Sequence, residues 1–232
     1  MEYKVTKDEL ATLQALPLEV KIKKTEQRIR EYYEYFGGNV YCSWSGGKDS
    51  TVLRDIALRL YPDMKCVYCD TWLEYPQIRE FVKKHDNVTI LKPNKSMKQI
   101  IKDDGWCFPS KDVAKCIYYA RKGSPWALHK LKGEDKNGNY SQYRQQYKKW
   151  YPLYESDIKI SDLCCYDMKE NPVARFEKET GLHPIVALMA DESARRKDGY
   201  MRTGCNAFDC GRPISKPLGF YTEQDIFAIL LH

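Results

Sequence analysis

Ser45-Gly46-Gly47-Lys48-Asp49-Ser50 separates an apolar run, residues 39–44, from a helical pattern over residues 49–60. The run predicts a short strand and the pattern predicts a helix, so the glycines lie in the turn that joins them. A helix that begins directly after a strand presents unpaired backbone N–H groups and the positive end of its dipole at one point. That point is suited to an anion.

The side chains of this loop also fit a phosphate. Gly46 and Gly47 let a phosphate approach the main chain closely, and Lys48 supplies a mobile positive charge. Asp49 is predicted either to cap the helix or to hold a magnesium ion. Hydroxyl groups for the same anion come from Ser45, Ser50 and Thr51. A turn that merely needs glycine has no use for this whole set, so we predict a nucleotide-phosphate loop.

The loop is not a Walker A sequence. That motif requires a glycine four intervening residues before its Gly-Lys pair and a Ser or Thr directly after the lysine. Here those two places hold Cys42 and Asp49. A different class of phosphate loop is therefore expected.

Strand and helix patterns alternate along most of the chain and predict an α/β fold with a doubly wound, mostly parallel sheet. Predicted strands cover residues 39–44, 65–70, 88–91 and 184–190. Predicted helices cover residues 7–36 with a break near Pro17, then 49–60, 75–84, 96–104, 110–121 and 172–180, and a last helix starts at Thr222. We divide the chain into an N-terminal helical preface, residues 1–38, and a main domain, residues 39–232, with an insertion at residues 124–160.

Composition bounds the class of protein. The chain has 38 Lys and Arg residues against 32 Asp and Glu residues, a mild basic excess that suits nucleotides without marking a nucleic-acid-binding protein. Nine cysteines, an odd number, and no secretory leader in residues 1–9 predict a reducing, cytoplasmic setting. The longest apolar runs are far shorter than the roughly 20 residues that span a bilayer. We expect a soluble protein with no membrane partner.

Four further motifs follow the loop in chain order. They are Asp70-Thr71-Trp72-Leu73-Glu74-Tyr75-Pro76, Cys164-Cys165-Tyr166-Asp167-Met168-Lys169-Glu170-Asn171-Pro172, Ala190-Asp191-Glu192-Ser193-Ala194-Arg195, and Pro217-Leu218-Gly219-Phe220-Tyr221-Thr222-Glu223-Gln224-Asp225-Ile226. Together with the loop they resemble the phosphoadenosine phosphosulfate (PAPS) reductase-like family of the PP-loop adenine nucleotide alpha hydrolase superfamily. The resemblance covers the chain from residue 39 to the C-terminus.

The resemblance implies an enzyme that binds an adenine nucleotide, either ATP with Mg²⁺ or PAPS as the substrate. It implies that the nucleotide is bound by Ser45, Gly46, Gly47, Lys48, Asp49, Ser50, Thr51, Asp70, Glu74, Lys111, Glu192 and Arg195. It implies catalytic roles for Lys48, Asp49, Lys169 and Arg195. The position of Glu192 and Arg195 directly after a predicted strand agrees, because a doubly wound sheet builds its ligand crevice at the carboxyl ends of its strands.

The sequence departs from the family pattern at three motif positions. Trp72 stands where the family has glycine, Met168 where it has a basic residue and Tyr221 where it has tryptophan. The sequence also stops at His232, inside a predicted helix, which suggests a shortened chain without a Glu-Cys-Gly tail of the kind that carries the reductase's nucleophilic cysteine. The missing tail favours ATP activation followed by sulfur transfer, whereas the overall resemblance favours PAPS reduction.

The two reactions imply partners of similar chemistry. Either requires a thiol donor, such as thioredoxin or a sulfur-carrier protein. A sulfurtransferase that modifies nucleic acid is an alternative reading. So is a non-catalytic subunit that senses nucleotide or binds nucleic acid through residues 124–160.

Cysteines at two places could hold a [4Fe-4S] cluster, which needs thiolates that converge from separate loops. The candidate ligands are Cys164, Cys165, Cys205 and Cys210. The adjacent pair resembles the ligands of the family's iron–sulfur branch, but the second pair has four intervening residues where the family has two. Ordinary free thiols are the alternative.

The insertion interleaves basic and aromatic side chains that could contact RNA or DNA. They are Lys130, Lys132, Arg144, Lys148 and Lys149 with Tyr140, Tyr143, Tyr147, Trp150 and Tyr151. The tyrosines recur at helical spacing, however, which is typical of a buried stripe with a solvated basic face opposite. We therefore expect those tyrosines to belong to a helix and to a core.

Overall fold

The computed structural model describes residues 3–231. Met1, Glu2 and His232, which the predicted preface, domain limit and C-terminal end include, lie outside the described residues. The chain forms two compact units, one from Met1–Leu91 with Arg175–His232 and the other from Lys92–Ala174. The predicted insertion at residues 124–160 lies inside the second unit.

A six-stranded sheet organises the first unit, with its strands in the spatial order β3-β2-β1-β4-β6-β5. All neighbouring pairs are parallel except β5 with β6. The strands are β1 (Val40–Ser43), β2 (Lys65–Cys69), β3 (Val88–Leu91), β4 (His183–Ile185), β5 (Asn206–Ala207) and β6 (Ile214–Ser215). This arrangement is the predicted α/β fold with a doubly wound, mostly parallel sheet.

Strand β1 is the pivot of the sheet. Its Cys42 is in register with Cys66 of β2 on one side and with Ile185 of β4 on the other. All three side chains are completely buried, as expected for a central strand covered on both faces. The chain first winds away from β1 to β2 and β3 and then returns to β4, so strand order reverses at β1. A doubly wound sheet opens its ligand crevice at such a point, beyond the carboxyl ends of the strands.

Helices cover both sides of this sheet. They are α1 (Lys7–Gln14), α2 (Leu18–Tyr35), α3 (Lys48–Leu60), α4 (Pro76–Lys83), α10 (Asn171–Thr180), α11 (Ala194–Thr203) and α12 (Glu223–Leu230), of which α10 continues from the second unit. Helix α2 begins directly after Pro17 and buries Ile29 and Tyr32 completely. Its buried Lys21 donates to Asp225 of α12 at 2.6 Å, so the helical preface is part of the first unit's core.

The second unit is helical. Its helices are α5 (Met97–Asp104), α6 (Lys111–Arg121), α7 (Pro125–Lys132), α8 (Gln145–Lys148) and α9 (Tyr151–Glu155). A separate core packs α6 against α7 through Cys116, Ile117 and Leu131. Arg121 fastens the following segment, because its guanidinium donates to four carbonyl oxygens between residues 153 and 158.

Most predicted elements are confirmed to within two residues, and two expectations are wrong in whole or in part. Strand β4 ends at Ile185, not at residue 190, because its neighbour β6 has only two residues and pairs with it at Ile185 alone, after which the chain leaves the ladder. Residues 140–151 do not form one helix. Tyr140 and Tyr143 are 74 % and 81 % exposed and belong to no buried stripe, whereas Tyr147 and Tyr151 pack against the core of the second unit as expected. No helix within residues 3–231 is both long and apolar enough to cross a membrane.

Candidate functional site

The predicted phosphate loop leaves the carboxyl end of β1 and is held in shape by its own polar groups. Ser50 Oγ accepts from the backbone N of Ser45 at 3.1 Å and donates to the carbonyl of Gly47 at 3.0 Å. Gly46 has φ +73°, and a Cβ there would lie 2.7 Å from Ile78 of α4. Glycine is therefore required at position 46 both by its backbone conformation and by the packing of α4.

The amino terminus of α3 is uncapped. Its N-cap residue is Gly47, which has no side chain to accept from the first amides of the helix, whereas Ser or Thr side chains cap α1, α5, α6, α11 and α12. Within residues 3–231 the first N–H groups of α3 thus have no side-chain cap, and they carry the positive end of the helix dipole at the carboxyl end of β1. Asp49 is the second residue of the helix, so the prediction that it caps the helix is wrong.

The hydroxyl of Thr51 does not join those of Ser45 and Ser50. Thr51 Oγ1 accepts from Trp44 Nε1 at 3.1 Å, while the Ser45 and Ser50 oxygens lie 2.9 Å apart. The hydroxyls of Ser45 and Ser50 therefore remain at the loop. The hydroxyl of Ser50 already forms hydrogen bonds with the loop's own backbone. Thr51 instead fixes the buried indole at the end of β1.

Lys48 is held at the mouth of the loop by two carboxylates. Its Nζ lies 3.1 Å from Glu223 Oε1 and 3.4 Å from Asp49 Oδ1. The hydrogen bond with Glu223, more than the charge of Asp49, raises the pKa of the Lys48 ammonium above its usual value. Glu223 is a site residue that sequence reasoning did not single out as one, because it is distant along the chain and only the packing of α12 on α3 brings it near.

Asp49 has an oxygen available for a cation. Its Oδ1 is buried and has no hydrogen-bond partner, although Lys48 Nζ is at ion-pair distance. Mg²⁺ is bound in nucleotide sites by one or two carboxylates together with substrate phosphates. A carboxylate beside an anion-binding helix terminus would otherwise repel a phosphate, so Asp49 fits a magnesium ion that accompanies a nucleotide.

The carboxyl end of β2 carries Asp70, which is 2 % exposed. Arg79 of α4 donates to both of its oxygens, at 2.9 and 3.0 Å, and the backbone N of Trp72 donates to Oδ1 at 3.1 Å. Trp72 itself is 62 % exposed, has φ +66° and packs its ring 4.3 Å from the Arg79 guanidinium. Asp70 thus shapes the loop, and the indole of Trp72 is exposed at this strand end.

Glu74 completes the same loop. Its carboxylate accepts from the hydroxyl of Thr71 at 2.7 Å and from the backbone N of Thr71 at 3.2 Å. Among the residues predicted to bind nucleotide, Asp70 and Glu74 therefore have direct structural tasks in the segment that follows β2. Arg79 was missed by sequence reasoning, because nothing in its spacing from Asp70 marks the pair.

The segment after β4 places Glu192 and Arg195 at the neighbouring strand end. Glu192 is engaged locally: its carboxylate accepts from the backbone N of Met189 at 3.0 Å and pairs with Arg196. Arg195 is exposed at the start of α11. Within residues 3–231 its guanidinium forms no hydrogen bond or ion pair, so its donors are available to an anion.

In the second unit, the predicted site residues lie at a change of helix type. Cys164 and Cys165 precede a π-helical turn, Tyr166–Glu170, which contains Lys169. Burial, followed by the proximity of Cys107 and Cys165, raises the pKa of the Cys164 thiol to about 11. Hydrogen bonding with Cys165 raises the pKa of Lys111. The structure therefore brings Lys111 together with the cysteine pair.

The second predicted cysteine pair, Cys205 and Cys210, lies in the first unit, where both thiols contact other groups of the same chain. Cys205 Sγ is 3.4 Å from the hydroxyl of Tyr200, and burial raises its pKa. Cys210 Sγ lies 3.0 Å from the carbonyl oxygen of Arg212. Residues 3–231 contain no group of three or more His, Cys, Asp or Glu side chains placed to hold a metal ion. A [4Fe-4S] cluster stays a prediction, which iron analysis of anaerobically prepared protein tests.

Comparison with known proteins assigns the fold and loop to a family. The profile of the phosphoadenosine phosphosulfate reductase domain matches residues 39–230. The chain belongs to this family. An uncharacterised protein of Methanocaldococcus jannaschii is 30 % identical over 177 residues, which are 71 % of this chain and 38 % of that protein. The chain thus matches well under half the length of this relative.

One solved structure, a PAPS reductase, is similar to the chain at lower sequence identity. The PAPS reductase from Candida auris, in a phosphate complex, is 15 % identical, with a TM-score of 0.49, and the match covers 100 % of this chain and 88 % of that one. Within the PAPS reductase domain of the present chain, the family match includes the phosphate loop, the strand ends after β2 and β4, and the cysteine pair. The helical preface, residues 1–38, precedes it.

Proposed function

We propose that this PAPS reductase-domain protein binds an adenine nucleotide with its phosphates in the loop Ser45–Thr51 and promotes cleavage or transfer at the phosphate or sulfate end. The observation that carries the proposal is the uncapped amino terminus of α3 at the strand-order reversal beside β1. Oriented amides at such a place stabilise negative charge without reorganisation, which is the main device available for phosphoryl or sulfuryl transfer. The base would lie over the end of β2, where the indole of Trp72 is exposed.

Individual side chains have separate tasks in this proposal. Lys48 places a positive charge on the phosphate oxygens, and Arg195 pairs with two oxygens of the leaving or transferred group. Asp49 would hold Mg²⁺, which when bound supplies positive charge to the phosphates of ATP. For Lys111 and Lys169, which belong to the second unit, an anion contact stays a prediction of the family resemblance.

Two reactions are compatible with this set. With ATP, an acceptor nucleophile forms a bond to the α-phosphorus as pyrophosphate leaves, and a sulfur nucleophile from the thiol donor then bonds to the adenylylated acceptor as AMP leaves. With PAPS, two thiols are oxidised to a disulfide as sulfite leaves and adenosine bisphosphate is released. Both place the chain in sulfur metabolism or sulfur transfer, with a thiol donor such as thioredoxin or a sulfur-carrier protein as partner.

The test measures binding and turnover separately. Purified protein is titrated with ATP and with PAPS by calorimetry, with and without Mg²⁺, and release of pyrophosphate and of sulfite is then assayed with thioredoxin and dithiothreitol supplied. Binding of either nucleotide that is lost in Gly46→Ala, with release of the matching product, supports the proposal. Binding without turnover would leave a nucleotide sensor, and absence of binding to both would overturn the proposal.

A further inference from the structure

The net positive charge of the chain comes from one of its two units. Residues 92–174 contain 16 Lys and Arg against 10 Asp and Glu, a net charge of +6, whereas the rest of the chain has 22 of each. The whole net charge of +6 therefore belongs to the helical unit, and the unit with the predicted phosphate loop is neutral. A polyanion would be attracted to the second unit by its field.

The same unit exposes aromatic rings that its core does not use. Those at least 40 % exposed are Trp106, Phe108, Tyr119, Trp126, Tyr140, Tyr143 and Tyr166. The loop before Tyr140 explains one of them. Asp135 accepts from the backbone N of Asn137 and Asn139, and a bridge between Glu134 and Tyr140 closes a turn, so Tyr140 lies in a turn outside any helix. Tyr143 follows in a short helical turn, Gln142–Arg144, that buries no residue.

One of these rings, Phe108, adjoins a groove that we call the aromatic groove, whose own two rings, Tyr147 and Trp150, are half-buried. It has a volume of about 270 Å³ and is lined by Pro109, Ser110, Asp112, Val113, Gln146, Tyr147, Lys149 and Trp150. Phe108 meets Trp150 edge to face with centroids 6.3 Å apart. Lys149 Nζ lies 5.2 Å from the Trp150 centroid, so an exposed cation and the exposed ring of Phe108 both lie beside the half-buried Trp150.

A second cation links the groove to the neighbouring helix. Lys130 Nζ lies 4.3 Å from the Tyr147 centroid and 5.4 Å from that of Trp126. The acidic residue of the groove, Asp112, is neutralised by Lys130 at 2.8 Å and accepts from the Tyr147 hydroxyl. Within residues 3–231 Lys149 forms no ion pair, and Asp112 of the groove is compensated by Lys130, so the groove presents rings and the charge of Lys149.

We propose that the aromatic groove binds a single-stranded nucleic acid without strong sequence preference. Rings that stack bases, set beside cations that contact the backbone, are the combination by which proteins hold single strands. Phe108, at 53 % exposure, offers a face to a base, and Lys149 is within reach of the adjoining phosphate. Duplex bases are already stacked on one another and cannot use such a ring. The inference concerns the second unit and does not depend on nucleotide binding by the first.

The test is fluorescence anisotropy with labelled 20-nucleotide oligo(dT), oligo(U) and a mixed-sequence duplex, using the full chain. Either single strand should bind more tightly than the duplex, and the logarithm of affinity should fall linearly with the logarithm of salt concentration, with a slope of about −0.7 for each phosphate contacted. A preference between oligo(U) and oligo(dT) decides whether RNA or DNA is the ligand. Failure of both to bind more tightly than about 100 µM at low salt, as for a surface that serves a protein partner, overturns the proposal.

Variants separate stacking from general charge. Phe108→Ala should weaken single-strand binding roughly fivefold or more, and Phe108→Ala combined with Lys149→Ala should weaken it further. The matched control is Tyr35→Ala with Lys84→Ala, an exposed ring and an exposed lysine in the neutral unit. Equal losses in the two double variants would overturn the groove assignment. If Phe108→Ala fails to fold, Lys149→Glu, a change at an exposed position, takes its place. It should weaken single-strand binding, and unchanged binding would overturn the groove assignment.

Discussion

Arg79 holds Asp70 through two parallel hydrogen bonds, Nε to Oδ1 at 2.9 Å and Nη2 to Oδ2 at 3.0 Å. Asp70 is almost completely buried at the end of β2, while Arg79 belongs to α4, the helix that packs against Gly46 of the phosphate loop. The pair therefore connects the segment that follows β2 to the helix behind the loop. Its planar fork geometry fits a carboxylate in a way that a lysine cannot reproduce.

Replacing Arg79 should lower the stability of the fold. Arg79→Ala leaves the Asp70 carboxylate buried without its cation and should lower the urea midpoint markedly, and Arg79→Lys should recover only part of the loss because one of the two hydrogen bonds is absent. Urea unfolding at pH 7.5 measures the effect. The exposed pair Arg59 and Asp55 on α3 supplies the control: Arg59→Ala should change the midpoint little. Equal effects at positions 59 and 79 would contradict the prediction.

Trp72 occupies a left-handed conformation, φ +66°, in which a side chain costs about 1–2 kcal/mol. Trp72→Gly removes that strain at an entropic cost of about 0.5–1 kcal/mol, whereas Trp72→Ala keeps the strain, and both lose the ring. The glycine variant should therefore be about 0.5–1 kcal/mol more stable than the alanine variant. At neighbouring Leu73, which lacks a positive φ, the order should reverse. If the alanine variant is the more stable one at both positions, the backbone at Trp72 is unstrained.

The sequence was sufficient to predict what depends on local pattern. The loop between β1 and α3, the strand alternation and the helix break at Pro17 follow from periodicity and glycine placement, and all are present. What it could not predict depends on tertiary contacts. Glu223 reaches Lys48 only because α12 packs on α3, and Arg79 reaches Asp70 only because α4 turns back over β2.

The misplaced tyrosines show the limit of periodicity itself. Helical spacing from Tyr140 to Tyr151 predicted a buried stripe, which is right for Tyr147 and Tyr151 and wrong for Tyr140 and Tyr143, because spacing has meaning only where a helix exists. The Asp135 side chain captures the backbone N–H groups of Asn137 and Asn139 and favours a turn, as short polar side chains do when they compete with helix formation. An Asx turn at Asp135-Lys136-Asn137 was therefore the signal that could have corrected the prediction.

Loop variants should separate binding from folding. Lys48→Ala and Asp49→Asn should lower kcat/KM for the nucleotide by about 100-fold or more if the groups stabilise transferred charge, with the urea midpoint near that of the unmodified protein because Lys48 is not part of the core. In Asp49→Asn the dependence of ATP binding on Mg²⁺ should weaken as well. Glu223→Gln is the control, since it removes the partner of Lys48 but leaves the lysine. Unchanged rates in both loop variants would remove the loop from the reaction.

Lys216 gives a pH-dependent contribution to stability. Burial lowers the pKa of its ammonium, and its Nζ donates to the carbonyl of Gly199 and to Thr203 Oγ1, with no carboxylate among its hydrogen bonds. The unfolded chain therefore holds this proton at a pH at which the folded chain has begun to lose it, so stability gains from Lys216 as pH rises from the lowered pKa toward 10.5. Lys216→Met lacks this gain. Urea unfolding gives the free energy of unfolding of both proteins at pH 7.5 and 9.5. Between these two pH values the free energy of unfolding of the unmodified chain should rise relative to that of Lys216→Met. A difference that is the same at both pH values would contradict the assignment.

Arg195 should contact the phosphate or sulfate end of the ligand held by the loop Ser45–Thr51. Strands β1 and β4 are adjacent and parallel, so the segments that follow them leave the same edge of the sheet, where a doubly wound fold binds its ligand. Arg195 is exposed and forms no ion pair within residues 3–231, in contrast to Arg196, which pairs with Glu192. A guanidinium bonds two oxygens of one anion and an ammonium does not, so Arg195→Lys should lose most of the nucleotide affinity that Arg195→Ala loses, whereas Arg196→Ala should lose little. Calorimetric titration with ATP and PAPS decides the matter, because full affinity in the lysine variant would mean that charge alone acts at this position, and full affinity in the alanine variant would place Arg195 outside the site.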